Sequence, residues 1–281
     1  MENSKSSIAV LMATYNGEAY LGEQIDSILT QTCQDWHLYI HDDGSTDATL
    51  TLLKTYVCQY PDKITLLDYP PQGGACRNFM SMLQCVEASY YMFSDQDDVW
   101  HNDKIAVSME AMQSVEQQNA GKPVVVHSDM QIVDDNKCLL HKSFFQFSNI
   151  HPDYINSFGD YMQNVVTGCT MLFNAAARTV SLSRPYTMAT MHDSWITLRT
   201  VAEGGVRHTV YTPLTDYRQH LSNVLGAEDG HRFTIVYRIT HFSKMFRQNC
   251  QHYRMLHASG DMTLMGYIIN KYKFYKKLHN Q

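Results

Sequence analysis

Five short runs within the first 130 residues are apolar and rich in β-branched or aromatic side chains: SIAVLMA (7–13), HLYIH (37–41), KITLLDY (63–69), YYMFS (90–94) and PVVVHSD (123–129). Each is short and bounded by polar turn residues, which predicts a strand rather than a helix. The stretches between them are amphipathic or carry capping residues and predict helices. Strand and helix alternate with a spacing of roughly 25 to 30 residues, enough for one crossover each. This rhythm predicts βαβ units, an α/β fold and a mostly parallel sheet flanked by helices.

After Asp129 the rhythm breaks. KSFFQFSNIHPDYINSF (142–158) is aromatic and irregular and reads as an inserted surface element. Regular pattern returns in TGCTMLFNAAARTV (167–180), a strand leading into a helix, and in HDSWITLRTVAEGG (192–205). In the latter, Asp193 suits the first turn of a helix and Gly204-Gly205 its end. Two further helical patterns follow, at about 232–258 and 261–279, rich in Tyr, Phe, Met, Lys and Arg. The expected organisation is one unit over 1–230, with halves at about 1–130 and 131–230, and a basic helical extension over 231–281.

Charge sharpens that division. The chain of 281 residues carries −6 overall, but residues 231–281 carry +8 and residues 1–230 carry −14. A basic, aromatic tail on an acidic body predicts different partners for the two. YIINKYKFYKKLHNQ (267–281) suits either an anionic membrane surface or packing of its Tyr and Ile face on the domain, and a mixture of the two is expected. An acidic body without a recognisable binding module argues against nucleic acid. Seven cysteines without a C-x-x-C pair argue against a disulfide framework and a structural zinc site, and reduced, mostly buried thiols are expected. The apolar run at the N-terminus is too short for a signal peptide or a membrane span, so a cytoplasmic protein is expected.

Ligands of open parallel sheets bind beyond the carboxyl ends of the strands. Three polar clusters fall at such ends: ATYNG (13–17), DDGSTD (42–47) and SDQDD (94–98). In the second, Gly44, Ser45, Thr46 and Asp47 are explained by a turn and a helix start. Asp42 still belongs to the strand and offers an acceptor to the N–H of a pyrimidine base. The third places Asp95, Asp97 and Asp98 within four positions, where mutual repulsion calls for a cation. Oxygen-only donors suit Mg²⁺ or Mn²⁺, with substrate phosphates completing the shell. No glycine-rich phosphate loop follows the first strand, which disfavours dinucleotide enzymes and P-loop ATPases and leaves the metal to hold a diphosphate.

The segments ATYNG..YL..QIDSILTQT (13–32), DDGSTD (42–47) and SDQDDVW..DK (94–104) resemble the inverting family 2 glycosyltransferases of GT-A fold. HDSW (192–195) and YRQHLSNVLG (217–226) are similar in particular to bacterial rhamnosyltransferase-like members that build surface polysaccharides. The resemblance implies the nucleotide-diphospho-sugar transferase fold, with a nucleotide-binding first half and an acceptor half that carries the base. It implies a nucleotide pocket lined by Thr14 and Tyr15, with Asp42 accepting from the base. Asp95 would lie near ribose or sugar, Asp97 on the metal with Asp98 adjacent, and Asp193 would be the general base. His220 would complete the metal shell. Ser194 stands where similar proteins often carry tryptophan, which touches a sugar or acceptor contact.

Further candidates are Asn16, Arg77 as a phosphate contact or a solvated residue, Lys104 as a charge anchor for the acidic cluster, His192 as a positioning or surface residue, Trp195, and Gly168 as part of an acceptor loop or a tight turn. The expected partners are a nucleotide-sugar donor, dTDP-rhamnose or a UDP-sugar, and a glycan or lipid-linked acceptor at the cytoplasmic face of the inner membrane. The rival readings are a sugar-phosphate nucleotidyltransferase, which would want a basic loop after the first strand, and a catalytically silent glycan-binding scaffold.

Overall fold

The computed structural model describes residues 6–155, 157–219 and 242–279. The motif around His220 and the boundary at 230 lie outside these residues. All five expected strands form: β1 (Ile8–Thr14), β2 (Trp36–Asp42), β3 (Ile64–Leu66), β4 (Tyr90–Ser94) and, after a two-residue β5 (Val99–Trp100), β6 (Val124–Val133). Between them run α1 (Leu21–Leu29), α2 (Thr49–Gln59), α3 (Ala75–Cys85) and α4 (Lys104–Gln118). Beyond β6 come β7 (Leu139–His141), α5 (Phe144–Phe147), β8 (Met171–Asn174), α6 (Ala175–Leu182), α7 (His192–Ala202) and β9 (Val206–Arg218), then α8 (Phe242–Gly260) and α9 (Leu264–His279).

The strands order as β3-β2-β1-β4-β8-β6-β9-β5, with β7 on β6. The first four are parallel, as the alternation predicts. In the second half β6 and β9 are again parallel to each other, but β8 runs antiparallel to both β4 and β6, β7 antiparallel to β6, and β5 antiparallel to β9. The sheet is therefore mixed rather than mostly parallel. No βαβ crossover connects β8 to its neighbours, so nothing in the chain path obliges it to run with them.

Both faces of the sheet are covered, which explains the unbroken apolar runs. Along β1, Ile8, Val10 and Met12 pack with Ile25, Leu38 and Met112 on one side. Ala9 and Leu11 pack on the other side with Phe79, Phe93, Trp195 and Leu256. Each such side chain contributes about 1.5–3 kcal/mol through burial.

The aromatic segment after β7 is more than a surface insertion. Asp129, at the bend of β6, accepts from Ser143 Oγ (2.5 Å) and from the amides of Phe144 (3.1 Å) and Phe145 (3.2 Å). Phe145 and Ile155 are buried, and Arg207 donates to the carbonyls of Pro152 and Ile155. The cysteines also differ from expectation: all seven are free, yet Cys169 alone is buried and Cys58, Cys85 and Cys138 are exposed.

Candidate active site

Register brings the polar clusters together. In the parallel pairs Thr14 lies beside Asp42 and Met12 beside Ser94, so the loops after β1, β2 and β4 leave the same edge. They interlock through side chains. Asn16 holds a left-handed backbone (φ 49°), accepts from the Thr46 amide (2.8 Å) and donates its own amide to Ser45 Oγ (2.8 Å). Gln96 accepts from the Tyr15 amide (2.9 Å) and donates to the Tyr15 carbonyl (3.0 Å). A β-carbon on Gly17 would stand 2.3 Å from Gln96 Oε1, so a larger residue there would displace the Gln96 amide from Tyr15.

Asp42 is a loop builder rather than a free acceptor. Its carboxylate takes bonds from Thr14 Oγ1 (2.9 Å), the Gly44 amide (3.1 Å), and both the amide (2.8 Å) and hydroxyl (2.5 Å) of Ser45. A carboxylate has about four lone-pair sites, so these bonds leave little for a base. Thr14 is likewise corrected: at 1% exposure it holds Asp42 and lines no open surface. Tyr15, in the loop after β1, is 57% exposed. Arg77 is exposed in the first turn of α3.

The acidic cluster has cations of its own. Lys104 is fully buried beneath it, donating to Thr215 Oγ1 (2.6 Å) and the Cys169 carbonyl and lying 4.1 Å over the Trp100 ring. Burial lowers its ammonium to about 8, against the pull of Asp98 and Asp95. The second cation, Arg218, has no counterpart in the sequence reading. It closes β9, stacks over Tyr20 at 4.6 Å, and donates to the carbonyls of Asp97 (2.9 Å) and Asp135 (2.6 Å) and to Glu23. Its amide donates to Asp98 Oδ1 (3.3 Å). Arg218 lies in the YRQHLSNVLG motif, whose reading singled out His220 and not the arginine.

Some room for a metal remains. Asp98 is buried, and its Oδ2 has no hydrogen-bond partner among the described residues. Ligand atoms of Asp95, Asp98 and Cys169 lie within 4.8 Å of one another. Burial, then Asp97 and Asp193, raise Asp95 to about 7, and burial with Asp97 and Asp95 pushes Asp98 upward. These carboxylates therefore resist ionising together until a further positive charge arrives. Burial also pushes the Cys169 thiol up, so it stays protonated and the donors suit a hard cation. The residues present fit Mg²⁺ or Mn²⁺.

Asp193 sits in the first turn of α7, almost buried, and accepts from the Gly168 amide (3.0 Å), the Ser194 amide and Asn164 Nδ2 (3.5 Å). Burial raises it to about 6 against those bonds. Gly168 connects the two halves of the site: its amide holds Asp193, and the next residue is the Cys169 packed against Asp95 and Asp98.

His192 is not a surface residue. It is buried among Phe79 and Phe93, with ring centroids 4.2 and 4.7 Å away, neither ring nitrogen has a partner among the described residues, and burial lowers it to about 3. It acts as a neutral aromatic wedge. Trp195 packs in the core, fully buried, with Nε1 donating to the Ser181 carbonyl (2.9 Å). A β-carbon on Gly168 would meet His192 Nε2 at 2.5 Å. Gly168→Ala is therefore expected to cost about 1–3 kcal/mol and to impair turnover by shifting the amide under Asp193. Adding His192→Ala should recover part of the stability in urea unfolding, and no recovery would place the strain elsewhere.

The family model for glycosyl transferase family 2 matches residues 9–179. Among curated proteins, a dTDP-rhamnosyl transferase (RfbG) of Shigella flexneri is 40% identical over 105 residues, 36% of either chain. A teichuronic acid biosynthesis glycosyltransferase assigned as putative (TuaG) in Bacillus subtilis is 30% identical over 112 residues, 40% of this chain and 44% of its own. The matched stretches thus span under half the length of these two relatives. Among solved structures, S. aureus TarS with UDP-GlcNAc aligns over 98% of this chain and 73% of its own at TM-score 0.59 and 16% identity. A mannosyltransferase from Pyrobaculum calidifontis with GDP-Man and Mn²⁺ aligns over 99% and 76% at TM-score 0.56, also 16% identical. At such identities these two speak for the fold, which is GT-A. A family model that covers most of the sheet, from β1 to the helix after β8, establishes that this chain belongs to glycosyl transferase family 2.

Proposed function

We propose that the protein transfers a sugar from a nucleotide-diphosphate donor to a hydroxyl of a glycan or lipid-linked acceptor in the assembly of a bacterial surface polysaccharide, with inversion at the anomeric carbon. The observation that carries this reading is the Asp193 carboxylate, held by the Gly168 amide one residue from the acidic cluster. Similarity to the rhamnosyl transferase favours a dTDP-linked deoxyhexose, with UDP-sugars as the rival donors.

A nucleotide sugar already carries a good leaving group, so catalysis needs a base for the acceptor and compensation for charge growing on the diphosphate. The acceptor oxygen attacks the anomeric carbon, its proton passes to Asp193, and the bond from that carbon to the diphosphate oxygen breaks. A value of about 6 leaves Asp193 mostly ionised at neutral pH yet more basic than a solvated carboxylate. Asp95, Asp97 and Asp98, with His220 as a further candidate, would hold a divalent cation, which supplies Lewis-acid compensation for the diphosphate charge. Lys104 places a positive charge under the cluster, and Arg218 braces its loop through the Asp97 carbonyl. Tyr15 offers a ring for the base to stack on, and Arg77 a guanidinium for phosphate.

Calorimetry with UDP, TDP and GDP, each with and without Mn²⁺, tests the reading. One nucleoside diphosphate should bind at least about tenfold more tightly with the metal, and Asp97→Asn should remove the difference. Equal binding with and without Mn²⁺ would overturn the metal assignment, and no binding of any of the three would overturn the transferase reading.

A further inference from the structure

We propose that the exposed face of α9 docks on an anionic lipid bilayer. At about 100° per residue, Leu264, Met265, Ile268, Ile269, Tyr272 and Tyr275 fall within an arc of about 140°. All six are exposed, Met265 by 67% and Tyr272 by 68%. The opposite arc holds Tyr267 and Phe274, both buried against the domain core, so α9 is anchored by one face and leaves the other uncovered. Packing and an exposed apolar stripe thus coexist on one helix. An apolar stripe of this width is uncommon on a surface with no use for it.

Charge selects the occupant. Lys273 flanks one edge of the stripe and Lys276 lies just inside that edge, and both are exposed. Lys271 is engaged with Asn249 and Tyr267, and Lys277 lies 4.1 Å over the Tyr154 ring. Residues 242–279 carry seven Lys or Arg and one Asp. A second copy of the same basic face would be repelled, whereas anionic headgroups attract lysines while the acyl boundary accepts Ile and Tyr. Among the described residues no helix is long and apolar enough to cross a membrane, so α9 would lie in the interface plane.

Position gives the contact a purpose. α9 packs on the turn at Phe158–Asp160, with Asn270 beside Gly159. Four residues beyond that turn is Asn164, whose amide reaches Asp193. A bilayer under α9 would bring membrane-borne molecules to the side of the site that carries Asp193. The docking itself does not rest on the transferase reading.

The test uses the full chain and sedimentation with phosphatidylcholine vesicles, with and without phosphatidylglycerol. Binding is expected to the anionic vesicles alone, weakening as salt rises. Ile268→Glu with Ile269→Glu should reduce it at least about tenfold, and Lys273→Glu with Lys276→Glu should reduce it and flatten the salt dependence. These four side chains are exposed, so thermal melting and nucleotide binding should stay unchanged and report an intact fold. No binding by the unaltered chain, or equal binding by the Ile variant, would overturn the proposal. So would a dimer in light scattering that the Ile variant dissolves, which would assign the face to a second copy.

Discussion

Replacing Asp193 with asparagine is expected to lower turnover by about 10²–10⁴-fold while leaving nucleotide affinity within about a factor of two. The amide cannot take the acceptor's proton, yet it fills the same space between Gly168 and Asn164. A pH signature should accompany the loss. In the unaltered protein Asp193 is raised to about 6 from an ordinary 3.8, because burial opposes its charge. Its folded value lies above the unfolded one, so its contribution is full below about pH 3.8 and is lost as pH rises through about 6. That contribution amounts to as much as about 3 kcal/mol. The substituted amide cannot titrate. Relative to the variant, the unaltered protein should therefore lose stability between about pH 4 and 7, read from urea midpoints at several pH values. Turnover should run the other way and rise with pH through about 6. A variant that kept its turnover would remove Asp193 from the base role, and a stability difference flat with pH would show that its carboxylate is solvated.

Arg218→Ala is expected to be the most destabilising single change outside the apolar core, at about 3–5 kcal/mol. The guanidinium is buried, and its loss would leave the carbonyls of Asp97 and Asp135 and the Glu23 carboxylate without their donor. It would also free the loop that carries the acidic cluster. For a chain of this size the melting temperature should fall by roughly 10 °C, and metal-dependent nucleotide binding should weaken even at temperatures where the variant is folded. Arg218→Lys should rescue little, because one ammonium cannot reach three acceptors placed for a planar fork. Stability within about 1 kcal/mol of the unaltered protein would mean that water or neighbouring side chains replace these bonds readily.

These two predictions draw on different kinds of legibility. Asp193 was visible in the chain as an acid opening a helix, in a motif similar to the family's base. Arg218 lay inside a quoted motif, but its role was not legible there, because its partners are carbonyls at positions 97 and 135, far away in the chain and without any sequence signature. Asp42 shows the opposite limit. As a strand-end carboxylate it looked free, whereas Thr14 and Ser45, both close to it only through register and turn geometry, consume its acceptor capacity. His192 shows the same limit: a histidine beside the base suggests chemistry, and only its packing against Phe79 and Phe93 shows it to be apolar filling.

Local pattern and composition were sufficient for β1 to β4 and β6, the helices between them, the polar loops at the carboxyl ends and the basic character of the last fifty or so residues. Those features follow from side-chain periodicity and turn chemistry, which act over a few residues and survive in a linear reading. Strand direction beyond β4, the cations beneath the acidic cluster, the pairing of Gly168 with Asp193 and the choice of which face of α9 meets the domain were decided only in the folded chain. Each depends on contacts between residues from about 25 to over 100 positions apart, whose energies arise from desolvation and close packing once the chain has closed.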